Sequence, residues 1–164
     1  MNTAYQSPVI APIAMTFSIN DDLASRALEG LTHEELWRPP TEHNNAMLWV
    51  AGHLVQTRAL VLAQLGEPFD TGWGELFERG AQVGDADQYP GRDEIERVMK
   101  EVTSRLQLKL ASLDDESLAR PATIELPNVK TMADQLAFFA LHDTYHIGQL
   151  AYIRKSLGYP GIVG

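Results

Sequence analysis

Two histidines, His142 and His146, stand four residues apart in a long apolar run near the end of a 164-residue chain. In a helix, residues i and i+4 share one face, a single turn apart. Two imidazoles placed that way can grip one metal ion, but the same spacing also suits two core histidines each bonded to a carbonyl. His53 bears on the choice. At about 100° per residue it shares a helix face with Ala46, Trp49, Val50, Thr57, Leu60 and Gln64, a mostly apolar set that should point into a core. Burying three imidazoles in one core without a shared purpose is costly. Three histidines on one ion leave positions open for water or substrate, which is the pattern of a reactive rather than a structural zinc-type site. His33 and His43 lie in polar, proline-flanked stretches and read as surface residues, although His43 can approach the site from the loop before the second helix.

His142-Asp143-x-x-His146 looks like the H-E-x-x-H pair of zinc peptidases with Asp in the Glu position. Aspartate is one methylene too short for the usual general-base reach. The third ligand of those enzymes lies downstream, yet Ile147 to Gly164 contains no His, Asp or Glu. A third protein ligand must come from upstream, where His53 is the best-placed candidate. Asp143 either orients a ligand or faces a neighbouring helix. Gln149 lies one turn beyond His146 on the same face. It is either a substrate-binding or water-binding group, or a polar side chain capped within the bundle. No catalytic acid or base stands out. There is no P-loop, no G-x-G-x-x-G after a strand and no G-x-S-x-G, and without cysteine there is no thiol nucleophile.

The elements that must position these residues read as helices. Residues 1–7 are polar and expected to fray. A first helix covers about 9–30, closed by Gly30. Thr32-His33-Glu34-Glu35 is a capping box for a short helical turn stopped by Pro39 and Pro40. A second helix covers about 45–65, capped by Asn44 or Asn45. Residues 66–91 hold six glycines and two prolines and form a long irregular connection, a lid or a crossover, with Trp73 to Phe77 able to make one helical turn and to wall a pocket. A third helix covers about 92–113, with the charges from Glu94 to Glu101 serving solubility. Residues 122–130 are an extended connection, and the last helix covers about 131–157. That helix is apolar over so much of its circumference that it is either the central helix of the bundle or also a dimer contact. No set of strands shows period-2 alternation. The expected fold is all-α: one domain over 1–164, a four-helix bundle with a long loop between helices two and three.

A sequence skeleton occurs twice. Leu31 to Pro39 and Leu113 to Pro121 both read L-x-x-E-x-L-x-R-P, and each lies between two amphipathic helices. Either the chain consists of two duplicated halves, each bringing histidines to a shared centre, or both stretches are simply good helix stops.

Composition narrows the partners. The apolar fraction is 45%, the charged fraction 21% and the formal net charge −9. That charge argues against nucleic acid and against anionic membranes. No segment approaches the roughly 20 clean apolar residues of a membrane span, and the N-terminus lacks the basic start of a secretory signal. With no cysteine, any metal is held by imidazole and oxygen, and a reducing, cytoplasmic setting is expected.

Asn45 to Leu54, ending in Gly52-His53-Leu54, together with His142-x-x-x-His146-x-Gly148-Gln149-Leu150-x-Tyr152-x-Arg154-x-x-x-Gly158, resembles the DinB-like (YfiT-like) superfamily over about residues 10–160. The L-x-x-E-x-L-x-R-P turn after the first helix is also similar to the family. The resemblance implies a four-helix bundle with an unusual crossover, often a homodimer. It implies a divalent ion, zinc or nickel, on His53, His142 and His146. It also implies chemistry on a small molecule, either transfer dependent on a low-molecular-weight thiol or hydrolysis. The competing reading is a non-catalytic, stress-linked helical binding or dimerisation module whose metal site is structural or empty.

Overall fold

The computed structural model describes residues 5–81 and 84–163. Four long helices make the bundle: α1 (Ile10–Leu28), α3 (Met47–Gln64), α4 (Arg92–Ala111) and α6 (Met132–Ser156). Two five-residue helices, α2 (His33–Trp37) and α5 (Asp115–Ala119), punctuate the connections. Between α5 and α6 runs a hairpin of β1 (Pro121–Leu126) and β2 (Val129–Thr131). α1 and α3 each pack against both α4 and α6, so the helices form a ring in which α1 and α3 face each other diagonally. Among the described residues no helix is long and apolar enough to cross a membrane.

Each long helix forms where its apolar residues recur at helical spacing. α1 buries Ile10, Ala14, Phe17, Ala24 and Leu28, while α4 buries the expected stripe Ile95, Val98, Met99, Val102, Leu106 and Leu110. The most enclosed helix is α3 rather than α6. Twelve of its 18 residues are buried, on two faces. α6 leaves Leu141, Tyr145 and Tyr152 exposed along one stripe.

The two copies of L-x-x-E-x-L-x-R-P fold alike. Thr32 accepts from the amide of Glu35, and Asp114 accepts from that of Ser117. A five-residue helix follows each cap, and Leu31, Leu36, Leu113 and Leu118 are all buried. The end of α6 is stitched back to the first copy. Arg154 donates to the carbonyls of Ala27 and Glu29 at the end of α1, and Tyr159 donates to Glu35.

Several expectations need correction. Neither Asn44 nor Asn45 caps α3: the Asn44 carboxamide accepts from Thr41 at 2.6 Å, so the helix begins after Ala46 with no side-chain cap. The connection before α6 is a true hairpin. Its two-residue turn is Pro127-Asn128, with Asn128 at φ 67°, a left-handed position that asparagine tolerates well. Buried Gln135 binds this hairpin to the bundle, accepting from the Thr123 amide and donating to Gln64. Of the N-terminal stretch expected to fray, residues 1–4 lie outside the described residues, but Ser7 is fully buried and donates to Asp115.

The 66–91 connection, of which residues 82–83 lie outside the described set, is anchored rather than loose. Trp73, Phe77 and Tyr89 are buried and pack edge to face in a row, with Trp37 against Tyr89. The Trp73 indole donates to Glu94 at 3.1 Å, which gives one of the supposedly idle charges of α4 a structural task. Gln56 on α3 donates to the Gly74 carbonyl and accepts from Thr71, pinning the segment to the helix.

Candidate metal centre

α3 and α6 bring His53, His142 and His146 together. One ring nitrogen from each lies within 4.8 Å of the others. His53 and His142 are half-buried and His146 is buried. The face arithmetic that grouped them holds because α3 and α6 are ring neighbours.

Hydrogen bonds decide which nitrogens are free. His53 Nδ1 lies 2.7 Å from the Phe77 carbonyl. A carbonyl can only accept, so Nδ1 carries the hydrogen, and in the neutral ring the lone pair then lies on Nε2. His146 Nδ1 lies 2.6 Å from Gln149 Oε1, with the same consequence. A metal-ligating histidine commonly donates its other N–H to an oxygen in this way, which fixes ring and tautomer together. His142 Nε2 faces His146 Nε2 at 3.2 Å. Two imidazole nitrogens on one tetrahedral zinc stand about 3.3 Å apart at ordinary bond lengths. His142 Nδ1 is buried with no partner. The donor set therefore fits a divalent ion: neutral imidazoles, converging nitrogens and outer hydrogen bonds on two rings of three.

Aromatic rings enclose the cluster. Trp49 stacks on His53 with ring centres 5.3 Å apart and planes within 6°. Tyr145 lies edge-on to His146, and Phe138 lies beside His142. Burial pushes His142 down to about 4, helped by the neighbouring His146 and His53 and opposed by Asp143. Burial also lowers His146, against the bond to Gln149. Both are thus neutral near pH 7, the form that ligates. In the unfolded chain His142 takes up its proton near 6.5, well above its folded value. The metal-free fold should therefore be at full strength above pH 6.5 and lose stability as pH falls towards 4. Urea midpoints of chelator-treated protein at pH 7.5, 6 and 4.5 should show this fall, and His142→Gln should flatten it.

The glycine preceding His53 has a steric reason. A Cβ on Gly52 would sit 2.2–2.5 Å from ring atoms of Phe77, whose carbonyl holds His53. Phe77 is fully buried and has little room to retreat. Gly52→Ala should cost about 1–3 kcal/mol of stability through overpacking. It should also weaken zinc binding, because the displaced carbonyl no longer orients His53; thermal unfolding with and without zinc reads both effects.

Asp143 does not face the cluster. It is buried and forms a two-pronged ion pair with Arg58 of α3, at 3.0 and 3.1 Å. Arg58 is fully buried and also donates to Asp21 of α1 at 2.8 Å and to Thr103 of α4. Burial alone would push the guanidinium down, but Asp143 and Asp21 hold it above its ordinary value. This node joins all four long helices. Sequence reading missed it, although an arginine in an otherwise apolar helix was the available signal.

Two cavities flank the site. One, of about 460 Å³, is walled by His53, Phe77 and the pinned connection. The other, of about 530 Å³, is lined by Tyr145, Gln149 and Tyr152, with His43 and Asn44 from the loop before α3. Trp73 takes no part in either wall, while His33 is exposed on α2. Gln149 thus meets both the cluster, through its oxygen, and a cavity.

The fold has solved counterparts. A conserved protein from Enterococcus faecalis superposes with a TM-score of 0.72 at 15% identity, covering 90% of this chain and 96% of that one. YfiT from Bacillus subtilis superposes with a TM-score of 0.67 at 19% identity, covering 92% of this chain and 89% of its own. YfiT is described as a probable metal-dependent hydrolase with an unusual four-helix bundle topology. No functionally curated protein matches the chain. The family model of the DinB superfamily matches residues 16–150, so with the ring of four helices the chain belongs to the DinB superfamily.

Proposed function

We propose that the protein is a divalent-metal-dependent enzyme acting on a small molecule, of hydrolase or thiol-dependent transferase type, with His53, His142 and His146 as the metal ligands. The observation that carries this reading is the set of converging imidazoles, two of which have Nδ1 engaged by an oxygen, leaving Nε2 as the nitrogen for a metal. The description of YfiT as metal-dependent supports it. A divalent ion there, zinc or nickel, supplies Lewis acidity and brings the pKa of a water or thiol towards neutrality. The chain's own residues prepare the site. The Phe77 carbonyl and Gln149 Oε1 orient two ligands, and Trp49 shields the His53 ring from solvent. The Gln149 amide nitrogen, 3.4 Å from the Tyr145 hydroxyl and beside the larger cavity, is the group left to bind substrate. The exposed stripe of Leu141, Tyr145 and Tyr152 on α6 supports a homodimer.

The test is activity with and without metal. Untagged protein loaded with one equivalent of zinc or nickel is assayed separately for ester and amide hydrolysis and for thiol transfer to small electrophiles. One of these activities should appear, fall at least 100-fold on chelation and return with metal. Metal-induced stabilisation without turnover in any assay would instead favour a structural site.

A further inference from the structure

We propose that the cavity beside His53 recognises a small monocarboxylate with an apolar body, and that Arg79 is the residue that reads its carboxylate. This rests on the reading of the histidine cluster as the reactive centre. The cavity is about 460 Å³, within the range of small-molecule sites. His53 forms part of its wall, and Ala59, Ala63, Phe69 and Phe77 give it an apolar lining. The polar lining is sparse. Gln56 has both ends of its amide engaged by Gly74 and Thr71, so it belongs to the wall and is not free to bind a ligand. Thr57, Glu78 and Arg79 remain.

Arg79 is the cation among them, and it makes no ion pair among the described residues. Arg38, Arg58, Arg92, Arg97 and Arg105 each meet a carboxylate, and of the arginines without an ion pair among the described residues Arg26, Arg120 and Arg154 line no part of this cavity. Arg79 is exposed and lines the same cavity as His53, so its guanidinium is open to an incoming ligand. A planar guanidinium grips a carboxylate with two parallel hydrogen bonds. In a chain of net charge −9 a diffusing anion finds few such groups. Glu78 on the same lining balances Arg79, which disfavours a dianion such as a phosphate monoester and leaves a monoanion as the better fit. A ligand held there by its carboxylate would lay its apolar body along α3 and its remaining functional group near His53.

Calorimetric titration tests this with phenylacetate and hexanoate, each paired with its uncharged amide. It is run on metal-free and on zinc-loaded protein, because a carboxylate can also ligate zinc directly. At least one acid should bind at least tenfold more tightly than its amide in both forms. Arg79→Gln should abolish that preference while leaving zinc stoichiometry unchanged, and Glu78→Gln should preserve or increase it. Equal binding of acid and amide overturns the proposal. So does a preference that survives Arg79→Gln or appears only with zinc, and so does failure of both acids to bind at millimolar concentration. Zinc stoichiometry in the same samples judges the metal reading separately, since the metal-free titration does not depend on it.

Discussion

Arg58→Met should destabilise the protein by about 3–5 kcal/mol, the usual result of removing one partner from a buried ion pair. The substitution leaves Asp143 buried without its guanidinium and strips Asp21 and Thr103 of the same donor. Asp143→Asn should cost less, because Arg58 keeps Asp21 at 2.8 Å. Arg58→Met combined with Asp143→Leu should recover part of the loss, since a well-packed apolar pair can replace a buried ionic one. Urea denaturation of metal-free protein measures all three variants, and a loss below about 1 kcal/mol for Arg58→Met would show that the node is dispensable. The node also affects the metal centre. Arg58 lies five residues beyond His53, and Asp143 is adjacent to His142. The pair therefore fixes how α6 sits against α3 where the histidines meet, and Arg58→Met should weaken zinc binding even under conditions where it stays folded.

The second large effect is loss of the metal itself. With free zinc at about 1,000 times its dissociation constant, the wild-type fold should gain about 4 kcal/mol by linkage. His146→Ala should lose nearly all of that gain, because His146 both ligates and faces His142 at 3.2 Å. Gln149→Ala should retain binding but weaken it by about 10–100-fold, the range for partners that orient a ligand. If Gln149 served substrate alone, zinc affinity would not change. Thermal unfolding across a zinc titration separates these outcomes, and equal zinc stabilisation of wild type and His146→Ala would contradict the ligand assignment.

Much of this arrangement was legible in the sequence because helices repeat locally. The spacing of His142 and His146, and the apolar face around His53, depend only on 3.6-residue geometry, and that geometry survived folding. The capping box at Thr32 and the stripe on α4 were legible for the same reason. Groups whose partners are distant in sequence were not. Asp143 and Arg58 are 85 residues apart, and nothing local couples them. The Phe77 carbonyl that orients His53 is a backbone atom in a glycine-rich connection, with no signature of its own. The need for glycine at position 52 follows only from the ring of Phe77 packed against it, a contact 25 residues away that helical spacing does not reveal. The hairpin before α6 escaped because its strands are short and its buried face is thin, although Pro127-Asn128 was a usable turn signal. The greater enclosure of α3 over α6 followed from ring order, which periodicity does not encode.

X-ray absorption spectroscopy of the zinc-loaded, untagged protein tests the central claim most directly. The account predicts one zinc per chain with three imidazole nitrogens at about 2.0–2.1 Å, and a shell reduced to two in His53→Ala. A shell with fewer than three imidazoles in the wild type, or one unchanged by His53→Ala, would contradict it.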